Sequence, residues 1–110
     1  MEWTIEYYSE SVRLEVDEWP AGIRAYYARI TERMKIHGPN IKMPFTRSLE
    51  NKLFEIRAIG HEGIGRAFFC TVKGRRIIIL HAFIKKSDKI PLHVLKMVRK
   101  RLLEVHNENA

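Results

Sequence analysis

The residues best suited to chemistry fall in three neighbouring stretches. Glu55 and Arg57 lie two apart in an alternating run, Arg66 lies in the next run, and His81, Phe83, Lys85 and Lys86 close the third. Residues two apart on a strand share a face. With Phe54, Ile56 and Ala58 facing a core, Glu55 and Arg57 point the other way. With Ile78, Leu80 and Ala82 as the core-facing set of the third run, His81 and Phe83 point the same way as Arg57. A carboxylate, arginines, lysines, a histidine and an aromatic then converge on one open face. Such a group suits cleavage of RNA without a metal. The attacking 2′-hydroxyl must lose a proton, the pentacovalent phosphate gains charge, and the 5′-oxygen must be protonated. Fixed Arg and Lys side chains stabilise the developing charge. A His, a Glu or a Lys of lowered pKa moves protons. An aromatic such as Phe83 stacks on a splayed base.

Each part also has a plainer reading. A lone His81 serves structure, Lys85-Lys86 is a solvated pair, and Glu55 with Arg57 is a surface strand with cross-strand pairing. His61 lies in a turn, and Cys70 reads as a small core residue. The sequence holds no Walker loop, dinucleotide-binding glycine pattern, HExxH or nucleophile elbow. With one cysteine, neither an intramolecular disulfide nor a Cys-based zinc site is available. No metal or other cofactor is expected.

Charge narrows the partner. Twenty Lys and Arg stand against thirteen Asp and Glu, a net charge of +7. Residues 1–34 hold seven acidic and four basic residues, net −3, and residues 35–110 hold six and sixteen, net +10. A basic surface of this kind favours a polyanion, most often nucleic acid. The alternative is a basic domain whose charges only solvate it.

The elements that must position these groups read as follows. At 110 residues the chain is one domain, 1–110. Its longest apolar run, Ile77-Ile78-Ile79-Leu80, is far short of the ~20 residues of a membrane span. Nothing resembles a signal peptide, so a cytoplasmic protein is expected. Trp3, Ile5 and Tyr7 alternate in a strand over 3–8. Residues 9–19 and 20–37 read as helices, the second carrying a stripe of Ile23, Tyr26, Tyr27, Ile30 and Met34. Residues 38–51 read as a loop. Strands follow over 53–59, 64–72 and 75–83, the last two joined by the Lys73-Gly74 turn. A helix over 91–106 carries Leu92, Leu95, Val98, Leu102 and Val105 on its apolar side. The pattern predicts a small α+β domain with a four-stranded, mainly antiparallel sheet, two N-terminal helices on one face and a C-terminal helix.

Four ordered pieces now carry a resemblance. They are Lys52-Leu53-Phe54-Glu55-Ile56-Arg57, Gly65-Arg66-Ala67-Phe68-Phe69, Ile79-Leu80-His81-Ala82-Phe83-Ile84-Lys85-Lys86, and the Pro91-started helix. Together they resemble the RelE/HigB toxins, more narrowly the phage-derived HigB-like branch of the RelE/ParE superfamily. The match spans about residues 49–105. It implies a type II toxin that acts as a ribosome-dependent mRNA endonuclease, an enzyme that cuts the codon in the A site and leaves a 2′,3′-cyclic phosphate. By position, Arg57 and Arg66 would hold the scissile phosphate, and Lys85 or Lys86 would move a proton or stabilise charge. His81 and Phe83 would lie beside the codon, Glu55 would accept a proton or orient Arg57, and Lys52 would contact the RNA backbone. The resemblance also implies a helix-turn-helix antitoxin that covers or distorts the basic face, operator DNA bound only through that complex, and a toxin that is monomeric alone. Several relatives place a tyrosine near the C-terminal end, whereas residues 86–110 contain no aromatic residue.

Two other functions fit the same elements. A ParE-like toxin would inhibit DNA gyrase by binding, and a non-catalytic module would bind nucleic acid without cutting it. The group at His81, Phe83, Lys85 and Lys86 favours the nuclease. In this reading Arg66 is an exposed arginine whose loss spares the fold.

Overall fold

The structure, a computed structural model, describes residues 2–42, 44–85 and 89–109. The elements run β1 (Thr4–Tyr7), α1 (Glu10–Asp17), α2 (Ala21–His37), β2 (Thr46–Ser48), β3 (Phe54–Gly60), β4 (Gly63–Val72), β5 (Arg76–Ile84) and α3 (Leu92–Glu108). One sheet holds all five strands in the order β1-β5-β4-β3-β2. β1 runs parallel to β5, and the remaining pairs are antiparallel. The α+β class is as expected, with five strands in place of four. The addition is β2, a three-residue edge strand inside the stretch read as a loop. Thr46-Arg47-Ser48 is too short to show alternation, and it pairs because β3 offers it an edge.

The helices begin for different reasons. Ser9 caps α1 by accepting the Val12 N–H on its hydroxyl. α2 starts after Pro20, which offers no side-chain cap. The carboxylate of Glu62, in the β3–β4 turn, accepts the Gly22 N–H at 2.8 Å instead. That bond, first among its causes, lowers the Glu62 pKa. α2 ends at Gly38, whose φ of 88° is the left-handed conformation that favours glycine.

The sheet is covered on both faces. On one face α1 and α2 bring Val12, Val16, Trp19, Ile23, Tyr27, Ile30 and Met34 against Ile56, Ala58, Ala67, Phe69, Ile77, Ile79 and Ala82. Gly65 lets this layer close, since a Cβ there would stand 2.7 Å from the Trp19 ring. On the other face α3 brings Val94, Val98, Leu102 and Val105 against Leu53, Phe68, Cys70, Ile78 and Leu80.

One irregularity decides how β5 presents its side chains. Phe68 pairs with His81 while Phe69 pairs with Ile79, so Leu80 is the extra residue of a β-bulge. Ile77 and Ile79 therefore face α1 and α2, Ile78 and Leu80 face α3, and Ala82 returns to the first face. The expected facing of Ala82 holds. That of Ile78 and Leu80 is inverted, because an inserted residue in a wholly apolar run leaves no trace in the period. The α3 stripe is also corrected: Val94 is buried, Leu92 is 64% exposed, and Val98, Leu102 and Val105 lie as expected.

Leu80 is fully buried on either reading. Leu80→Ala is expected to cost about 2–5 kcal/mol in denaturant unfolding. Leu92→Ala should stay within about 0.5 kcal/mol.

Candidate nucleic-acid interface

Register places the predicted groups in two rows. Arg57 on β3 stands opposite Arg66 on β4, which stands opposite Phe83 on β5. In the row nearer α3, Arg47 on β2 pairs with Glu55, Glu55 with Phe68, and Phe68 with His81. Arg57, His81 and Phe83 are half-buried, so this part of the face is open beyond the α3 core.

The charges are linked through one carboxylate. Glu55 is fully buried and Arg66 is 3% exposed. The Arg66 Nε and Nη2 atoms pair with the Glu55 carboxylate. Arg47 Nε donates to the other carboxylate oxygen at 2.9 Å, with its side chain partly in solvent. Glu55 thus balances one of three arginines, and the cluster stays net positive. The Arg66 guanidinium lies 5.7 Å from the Phe68 ring centre and 5.9 Å from that of Phe83. Its buried Nη1 has no hydrogen-bond partner among the described residues. Among those residues Arg57 forms no ion pair; half-buried, it is more accessible than Arg66, while Arg47 is exposed.

This corrects the reading of Arg66 as an exposed residue. A polar residue on an alternating strand signals the face it occupies, not whether neighbouring rings close over it. Glu55 holds Arg66 and Arg47, and among the described residues it forms no hydrogen bond or ion pair with Arg57.

His81 follows the bulge and pairs with Phe68. Arg101 on α3 donates from Nη1 to the Leu80 carbonyl at 2.7 Å, and its guanidinium lies 4.6 Å from the Tyr8 ring centre. The His81 ring stacks on Phe83 with centroids 5.6 Å apart. Burial, then the nearby Arg101 and His93, hold the His81 pKa below its ordinary 6.5. His81 is therefore neutral at pH 7 and able to accept a proton.

The other expected residues divide. Lys85 follows β5 directly, half-buried, and its backbone N–H donates to Ile64 at 2.7 Å. Lys86 lies outside the described residues. Lys52 is not brought into the group: it sits exposed in the β2–β3 turn with φ 64°. Cys70 is a buried core residue whose thiol burial pushes to about 11, so it stays protonated and unreactive. Two residues were missed. Arg47 lies in a strand too short to read, and Arg101 acts through a bulge that the sequence does not signal.

The family model described as phage derived protein Gp49-like matches residues 15–103, most of the chain. The chain belongs to this Gp49-like family. Its fold is RelE-like, as the resemblance implied. A chain of the crystal structure of the archaeal RelE-RelB complex from Pyrococcus horikoshii OT3 superposes with a TM-score of 0.57 at 18% identity. The overlap covers 78% of this Gp49-like chain and 98% of the archaeal one. No curated protein sequence matches it. No helix among the described residues is long and apolar enough to cross a membrane.

Breaking a buried pair from one side strands the other charge. Arg66→Ala or Glu55→Ala should cost about 3–5 kcal/mol in urea unfolding, and the double variant less than the sum. For His81, NMR titration should give a midpoint below 6.5. The unfolded chain then binds the proton more readily, so this residue's contribution to stability is full above pH 6.5 and is lost as pH falls through the folded-state pKa.

Proposed function

We propose that this Gp49-like protein is the toxin of a type II toxin–antitoxin pair and acts as a ribosome-dependent mRNA endonuclease. The observation that carries the reading is the row of Arg57, Arg66 and Phe83, with neutral His81 beside it on one half-open face. A nuclease of this kind needs positive charge fixed where the phosphate gains charge, and a group able to take the 2′-hydroxyl proton. Arg57 is the accessible cation at the scissile phosphate. Arg66, held rigid by Glu55 beneath it, adds field in a water-poor setting and reaches the phosphate only when Phe83 shifts. His81 accepts the proton. Lys85, at the end of β5, gives its proton to the leaving 5′-oxygen as His81 takes that of the 2′-hydroxyl, and Lys86 is a second candidate for that role. Phe83 offers its ring to a codon base.

The partners follow from the same reading. Similarity to a chain from a RelE-RelB complex supports a cognate antitoxin, proposed as a helix-turn-helix protein through which operator DNA is bound. The basic balance of residues 35–110 supports contact with ribosome and mRNA, and a cytoplasmic site of action.

Primer extension on cellular mRNA after brief induction tests the reading. Discrete cuts within translated codons are expected, and Arg57→Ala should lower them at least a hundredfold while its unfolding curve stays near wild type. With His81 as base, the cleavage rate should fall tenfold per pH unit below the His81 pKa. Intact mRNA alongside growth arrest would contradict the proposal.

A further inference from the structure

A second basic feature lies at the other side of the β2 edge. Arg29 and Arg33 occupy successive turns of α2, a like-charge spacing that destabilises a helix. Neither forms an ion pair among the described residues. Each is instead laid on an aromatic ring: Arg29 lies 5.4 Å from the Tyr26 ring centre and Arg33 lies 4.9 Å from that of Phe45. The two rings are 6.1 Å apart and tilted by 38°. With Ile30 they line an open cleft of about 320 Å³.

We propose that this cleft is a second contact for single-stranded RNA, separate from the cleaving face and joined to it around the sheet edge. The inference rests on the RNA-cleaving reading above. A guanidinium set over a ring can still offer its free side to a base and its N–H groups to phosphates. Aromatic walls with unpaired cations are the composition that grips single strands without sequence preference. Position supplies the second argument. The Phe45 carbonyl accepts the Arg57 N–H at 2.9 Å, and Phe45 stands two residues before Arg47. Level with Arg57 the sheet edge is therefore Phe45, a wall of the cleft, and Arg47 lies two residues along the same edge. An acidic peptide with an apolar side chain would complement the same groups. The continuity with Arg47 and Arg57 favours RNA.

The probe is a fluorescein-labelled, unstructured 20-nucleotide 2′-O-methyl RNA, which lacks the attacking hydroxyl and cannot be cut. Its anisotropy is read across a salt series with wild type, Arg29→Gln/Arg33→Gln, and Lys96→Gln/Lys100→Gln as an equal charge loss on the exposed side of α3. Thermal midpoints confirm that all three are folded. The α2 variant is expected to bind at least tenfold more weakly, with a salt slope shallower by about 1.4 for two lost phosphate contacts. The α3 variant should lose less than threefold. Equal losses in both variants, or none in the α2 variant, would overturn the proposal. It would also be overturned if a Glu- and Leu-rich 12-residue peptide bound through Arg29 and Arg33 while RNA affinity was unchanged. Intact mRNA in the primer-extension assay together with the tenfold loss would remove the cleavage reading and support the contact.

Discussion

The structure is organised around the buried ion pair of Glu55 and Arg66. Two charges taken out of water are stable only when each satisfies the other in good geometry. Here the pair spans adjacent strands, so it ties β3 to β4 in one register. Arg47 reaches the same carboxylate from β2 and ties the edge strand in as well. The cost of burying Arg66 is returned as rigidity: its guanidinium is fixed between Glu55 and the rings of Phe68 and Phe83. Charge that does not reorganise is the kind that stabilises a phosphoryl transition state most. The same feature that holds the strands together is, in the proposed function, the base of the site.

A second constraint works through the backbone. α3 covers part of one sheet face, and the bulge at Leu80 separates core residues under α3 from His81 and Phe83 on its open part. An extra residue there lets Leu80 stay in the core while His81 and Phe83 still point to the side of Arg66. Arg101 ties the bulge to α3 through the Leu80 carbonyl and contributes to the depressed pKa of His81. Burial of the ring is the larger cause of that depression, and Arg101 and His93, both on the C-terminal helix, add to it.

Long apolar periods and strand alternation made most of the fold readable in advance. The stripe of α2, the facing of Ile56 and Ala58, and the common side of Glu55, Arg57, His81 and Phe83 are read from period. What escaped has physical causes. β2 is too short for a period and exists by pairing. Ile78 and Leu80 lie in an apolar run that reads alike from both sides. The burial of Arg66 depends on aromatic rings from neighbouring strands, and Arg47 and Arg101 act through tertiary contacts that no local pattern encodes.

In the proposed function this face cleaves RNA through attack by the RNA's own 2′-hydroxyl. The most direct measurement uses purified ribosome complexes holding a defined mRNA codon in the A site, as all-RNA or with a single 2′-deoxynucleotide 5′ of the cut. Cleavage of the all-RNA codon to a 2′,3′-cyclic phosphate and a 5′-hydroxyl is expected, and none at the deoxy position. Cleavage that persists at the deoxynucleotide, or ribosome complexes left intact by folded protein, would contradict it.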